Sequence, residues 1–255
     1  MRWVAAFFSM LLVMSTGVEA EELAAGISRD KIEINSSFTG AEVVVFGAIE
    51  SDSGAAMSDA GPRDVVVVVR SDRPSVATVR KKELVGPIWI NRESRQFVGV
   101  PSYYFVASSK PLEQIAHPNI LRQLEIGLAH IAMGPAPGAI GGPANFRAAL
   151  VKSRQGSELY GQHDGGVTFM SASLFRTTAT LPPNVPAGNL RVSVYAFRHG
   201  QVVSSNSMML FIDKTGIERS LSDLAQHWPF LYGLSAVLLA VLAGLLAATV
   251  FRERQ

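Results

Sequence analysis

The sequence predicts a mainly β, immunoglobulin-like sandwich with a helical insertion, followed by one C-terminal transmembrane helix. Three observations predict it. Segments rich in β-branched and aromatic residues recur on both sides of a central stretch, that stretch (about 109–160) changes to helical spacing, and the run Trp228 to Phe251 holds no charged side chain.

From the amino end, Met1 and Arg2 form a short positive region and Trp3 to Val13 an apolar stretch. Val18-Glu19-Ala20 is then a small-residue cleavage pattern before Glu21. This is the layout of a signal peptide over residues 1–20. An uncleaved anchor is the alternative, but about eleven apolar residues make a short span.

Lys31 to Asn35 alternates polar and apolar, Glu42 to Phe46 follows a break at Gly40, and Asp64-Val-Val-Val-Val-Val-Arg70 is an unbroken β-branched run. These read as strands, the last buried on both faces. Pro87–Asn91, Gln96–Val100 and Tyr103–Ala107 read as three shorter strands. The small, polar segment 50–63 reads as a loop.

Ser109 is placed to cap a short helix from Pro111 to Ala116. Leu121, Leu124, Leu128 and Ile131 then recur at helical spacing until Gly134-Pro135. The Gly/Pro-rich stretch 134–143 reads as a loop, and Phe146, Ala149 and Leu150 mark another short helix. After Gly165-Gly166 the period of two returns. Phe175, Thr177, Ala179 and Leu181 point one way, and Leu190, Val192, Val194 and Ala196 do likewise. Arg198–Gln201 reads as a hairpin turn and Met208–Ile212 as the closing strand. The Pro/Gly corner at 181–188 feeding a long strand is like the E-to-F crossing of immunoglobulin-like sandwiches.

Residues 21–213 therefore form the exported domain. In residues 214–227, Ile217, Leu221, Leu224 and Trp228 lie on one helical face, as in an amphipathic juxtamembrane helix. The span is 228–251, with Trp228 and Tyr232 at interfacial depth. Arg252 and Arg254 in the tail 252–255 favour a cytoplasmic C-terminus and an ectodomain outside the cytoplasm. Within the span Ala236, Ala240, Gly244 and Ala248 recur every four residues, a stripe by which a helix packs on a partner or its own copy.

Composition and motifs mostly exclude. The formal net charge is +2, which gives no basic field for nucleic acid. With no cysteine, disulfides, thiol nucleophiles and Cys-based metal centres are ruled out. There is no G-x-S-x-G elbow, phosphate-binding G-x-x-x-x-G-K-[ST] loop, H-E-x-x-H or calcium-loop spacing. The five histidines are scattered; His163-Asp164 is the one adjacent pair with metal-ligand chemistry, and a solvated turn is its plainer reading. No catalytic residue, cofactor or metal is assigned. Two clusters form a candidate aromatic and basic patch. Arg80, Lys81 and Lys82 flank Trp89 as an anion or lipid-headgroup site, or as solvated edge charge. Tyr103 and Tyr104 are a partner-facing surface, or core.

Several blocks resemble the alphaproteobacterial putative transmembrane protein family. They are Val45–Ala48, Ile88–Asn91, Pro101–Leu112, Leu174–Arg176, Leu181–Gly188, Lys214–Glu218 and Pro229–Gly233. The resemblance implies an inner-membrane protein with a periplasmic domain, encoded near a sulfite-exporter-type permease, and it carries over no catalytic residue. The expected function is a non-enzymatic accessory or binding subunit with an integral membrane partner, such as a permease. A membrane-tethered envelope enzyme with a site assembled from distant residues, and a structural envelope adaptor, are the alternatives.

Overall fold

The computed structural model describes residues 21–51, 63–85, 87–136, 144–215 and 225–252. Its strands are β1 (Glu21–Ile27), β2 (Lys31–Ile34), β3 (Ala41–Ser51), β4 (Asp64–Ser71), β5 (Pro74–Val85), β6 (Ile88–Pro101), β7 (Tyr104–Ser108), β8 (Gly134–Pro135), β9 (Tyr160–Asp164), β10 (Thr168–Phe169), β11 (Leu174–Leu181), β12 (Gly188–Arg198) and β13 (Gln201–Lys214). The helices are α1 (Leu112–Ile115), α2 (Pro118–Gln123), α3 (Ala144–Gly156) and α4 (Pro229–Arg252). The signal-peptide segment, most of the polar loop 50–63, residues 137–143, most of the juxtamembrane segment and the last three residues lie outside the described residues.

The protein is mainly β. One sheet has the order β1-β3-β11-β10 and a second the order β2-β13-β12-β4-β7-β9. Pairing is antiparallel except at the two edges of the second sheet, where β2 joins β13 and β9 joins β7 in parallel. Alternation in β11 buries Phe175, Thr177, Ala179 and Leu181 and exposes the residues between them, as their spacing predicts. On the facing sheet Val65, Val67 and Val69 stand opposite Ala196, Val194 and Val192. Two hydrogen bonds cross the sandwich: Asn206 Nδ2 to the Leu23 carbonyl (3.0 Å) and the Tyr103 hydroxyl to the Thr180 carbonyl (2.7 Å).

The other face of the second sheet is covered too, which is why the valine run has no polar member. Val66, Val68, Val106 and Phe197 join one core with Leu112, Ile115, Leu121 and Ile126 of the insertion. Burying each such side chain is worth about 1.5–3 kcal/mol. Tyr104 and Gln162 on this face bond directly to the insertion, through the Glu125 carbonyl and the Leu128 N–H.

The insertion itself differs from expectation. The helix expected through Leu121, Leu124, Leu128 and Ile131 stops at Gln123, and Leu128–His130 is a separate 3-10 turn. The Tyr104 hydroxyl donates to the Glu125 carbonyl and accepts from the Gly127 N–H, drawing off groups that a continuing helix would pair internally. His117 caps α2, its Nδ1 accepting from the Asn119 N–H. Ser109 does not cap α1; its hydroxyl bonds Asp64 and accepts from the Val65 N–H. The His163-Asp164 pair is not a turn but the end of edge strand β9, whose polar sequence lacks an alternating signal.

The segments expected as two short strands, 87–91 and 96–100, are a single strand β6 that pairs with β5 in a long hairpin. The charged residues of 92–95 hid their continuity, since a strand solvated on both faces shows no apolar period. At its base Ala77, Phe97 and Val100 pack with Phe146 and Leu150 of α3 as a separate small core.

From Trp228 into α4 as far as Leu245 every described side chain is exposed. Phe230 is 81% exposed and Leu239 67%. Among the described residues no helix is long and apolar enough to cross a membrane. The backbone helix extends over 24 residues.

Candidate functional site

Where the long hairpin leaves the sandwich, two adjoining hollows open, of about 240 and 640 Å³. They share Gly99, Glu125, Ile131 and Ala132. The smaller is walled by Arg70, Asp72 and Tyr104, the larger by Arg122, His130 and Arg147.

Register explains the first set. Arg70 is the cross-strand partner of Tyr104, so both begin on the face of the sheet that the insertion covers. Glu125 reaches them through a strained backbone. Helix α2 closes with the Glu125 N–H on the Arg122 carbonyl (3.2 Å) and the Ile126 N–H on the Leu121 carbonyl (2.8 Å). That closure needs a left-handed residue, normally glycine, and here Glu125 takes it at φ 55°. A non-glycine residue there costs on the order of 1 kcal/mol. The carboxylate so placed forms an ion pair with the Arg70 guanidinium. Beside it Asp72 accepts from Arg191 Nε at 3.2 Å.

The larger hollow is cationic on one side. Arg147 ties α3 to the stretch 129–133 by donating to the carbonyls of Ala129 (3.1 Å), Ile131 (2.6 Å) and Met133 (3.5 Å). His130 Nδ1 lies 2.7 Å from the Ile126 carbonyl, which makes Nδ1 the protonated nitrogen. With Glu125 paired to Arg70, the wall of the larger hollow carries the Arg122 and Arg147 guanidinium groups and the His130 imidazole. Among the described residues no group of three or more His, Asp or Glu side chains could hold a metal ion.

The tyrosines beneath are structural. Burial pushes the phenols of Tyr103 and Tyr104 strongly upward and that of Tyr160 to about 12. The Tyr160 hydroxyl donates to the Pro101 carbonyl at 2.7 Å, holding the end of β6. Tyr103 and Tyr104 are each 1% exposed, so they belong to the core and not to a partner-facing surface. Arg80 and Lys81 are exposed on β5, some distance along the hairpin from the cleft. Lys82 and Trp89 occupy strand positions on the same hairpin, with side chains outside those described. Ala236, Ala240 and Gly244 lie exposed on α4, and the side chain of Ala248 lies outside the described residues. His163 rests its ring against Phe105, with centroids 5.2 Å apart.

Sequence reasoning missed Arg70, Glu125 and Arg147. They come from β4, the end of α2 and α3, and no short motif joins them. A left-handed glutamate has no sequence signature.

Residues 22–253 match the family described as "Putative transmembrane protein (Alph_Pro_TM)". The chain belongs to that family. No curated protein sequence matches it significantly. Among solved structures, the crystal structure of Spo0M, sporulation control protein, from Bacillus subtilis is similar at 9% identity and a TM-score of 0.32. That similarity covers 82% of this chain and 55% of the other. The blocks by which the sequence resembled the family fall largely on structural positions. Val45–Ala48 lies in the middle of β3, and Leu174–Arg176 opens the neighbouring β11. Gly47 of the first block faces Phe175 of the second across the ladder. A Cβ on Gly47 would stand 2.6 Å from the Phe175 ring and 2.5 Å from the Ala24 carbonyl, so only glycine fits.

Proposed function

We propose that this family member is a single-pass inner-membrane protein whose β-sandwich stands in the periplasm as a non-enzymatic binding subunit. The observation that carries this is α4. It is 24 residues long, falls on a run without charge from Trp228 to Phe251, and exposes apolar side chains on every described side. In water such a helix leaves a large apolar surface unburied; in lipid it is at home, and its length of about 36 Å suffices to span. The N-terminal leader read from residues 1–20 supports export, and Arg252 and Arg254 support a cytoplasmic tail. The strand order, with the first edge divided between β1 in one sheet and β2 beside β13 in the other, supports the immunoglobulin-like assignment.

The cleft under the hairpin is the port this reading gives to a small polar or anionic ligand. What supports this is the positive wall of the larger hollow, where Arg122 and His130 stand beside Arg147. The partner is an integral membrane protein, with a permease first in view of the family resemblance, and the stripe Ala236, Ala240, Gly244, Ala248 is the contact assigned on the helix. Affinity purification of the tagged chain from gently solubilised membranes, followed by mass spectrometry, tests the partnership. Recovery of a permease in stoichiometric yield supports it, and recovery of the chain alone overturns it.

A further inference from the structure

The long hairpin carries an apolar end on a basic collar. Its last rungs pair Glu83 with Ile90, Leu84 with Trp89 and Val85 with Ile88. Six of the residues from 84 to 90 (Leu84, Val85, Pro87, Ile88, Trp89, Ile90) are apolar. Ile88 is 61% exposed and Ile90 39%. Behind them in sequence lie Arg80, Lys81, Lys82 and Arg92 against Glu83 and Glu93, while Arg95, nearer the base, lies over the Phe146 ring of α3. The last rung with both described side chains buried is Ala77 with Phe97. From there to Val85 and Ile88 the strands run on for about 25 Å at roughly 3.3 Å per residue.

Register locates the base of this arm. Ile212 pairs with Gly188, and Leu190 pairs with both Leu210 and Ser71. The end of β13, from which the chain leaves toward α4, is thus at the same end of the second sheet as the end of β4. There β5 begins, after Asp72 and Arg73, and β6 returns to pair Pro101 with Pro74. The arm and the connection to the apolar helix therefore leave the sandwich at one end.

We infer that the hairpin tip seats in the interfacial layer of an anionic lipid bilayer, Ile88 and Ile90 among the upper acyl chains and Arg80 and Lys81 at the phosphates. A buried protein interface would deplete lysine and charge around the apolar centre. A lipid surface instead rewards basic residues behind apolar ones. This inference takes its membrane from the reading of α4 as a span, and the experiment separates the two.

The chain contains no cysteine, so single substitutions Ile88→Cys, Val76→Cys and Leu238→Cys each accept one environment-sensitive fluorophore in the full chain. Each labelled chain is incorporated into vesicles of phosphatidylcholine with phosphatidylglycerol, carrying quenchers at shallow or deep positions of the lipid. The label at 88 is quenched by shallow lipid, that at 238 by deep lipid, and that at 76 by neither. In Ile88→Cys, adding Arg80→Glu and Lys81→Glu weakens seating of the tip by at least on the order of 30-fold, at about 1 kcal/mol per basic residue removed. The label at 238 keeps its quenching under the same two changes. If 238 is quenched and 88 stays in water, the tip inference fails and the span survives. If 88 is shielded from water yet untouched by lipid quenchers, the tip seats on protein and the inference is overturned. If neither is quenched, both readings fall.

Discussion

Glu125 shows how one residue can trade stability for placement. Its left-handed backbone costs on the order of 1 kcal/mol, and its ion pair with Arg70, about a third exposed on each side, returns about 0–1 kcal/mol. Glu125→Gly therefore leaves denaturant stability unchanged or raises it by up to about 1 kcal/mol, while freeing the Arg70 guanidinium in the cleft. A urea titration that instead finds a loss above about 2 kcal/mol would show that the pair is a stability element. The buried phenols give a second residue-scale expectation. The folded state holds Tyr160 at about 12, and Tyr103 and Tyr104 are raised further, against 10 in an unfolded chain. A raised value favours the protonated form in the fold. The stability it confers is complete below pH 10 and is lost as the pH rises through 10 to 12 and beyond. Ultraviolet titration should thus show three of the five tyrosines ionising in one cooperative step that coincides with loss of the β signal in circular dichroism. Independent ionisation of all five before any unfolding would contradict the burial.

At the scale of elements, legibility followed burial. Strands β4, β11 and β12 were readable because their buried faces impose either a continuous or an alternating apolar pattern, as in the valines of 65–69 and the Phe175 to Leu181 series. Strand β5 and the middle of β6 were not, since Arg80, Lys81 and the charged residues of 92–95 imitate a loop; ladder pairing alone makes them strands. Strand β1 was missed for a related reason, its Glu-Glu-Leu-Ala-Ala-Gly-Ile sequence being small and weakly patterned. The cleft was illegible because Arg70 and Glu125 meet across 55 residues of chain. The small core at the hairpin base should behave as its own unit, being separate from the main one. Phe146→Ala removes its largest helix-borne side chain and costs about 3–5 kcal/mol if the whole fold depends on it. Hydrogen exchange should instead show α3 and the base of β5 and β6 losing protection while β4 and β12 keep theirs. Equal loss throughout would mean that the two cores unfold together.

For the molecule as a whole, a sandwich core, a projecting hairpin and an apolar helix make sense together at a membrane. The sandwich needs no disulfide because the middle of its second sheet is buried on both faces, from Val65 to Val69 and from Val192 to Val194. The described side chains of helix α4 have no such cover, and on the proposed reading lipid supplies it. The most direct measurement compares reporters fused after Lys214 with the same reporters fused after Gln255. Alkaline phosphatase should be active at the first position and inactive at the second, with a cytoplasmic fluorescent protein showing the reverse, because on the proposed reading residues between the two points cross the bilayer. The same reporter response at both positions would mean that α4 does not cross, and the account of a tethered periplasmic sandwich would fail.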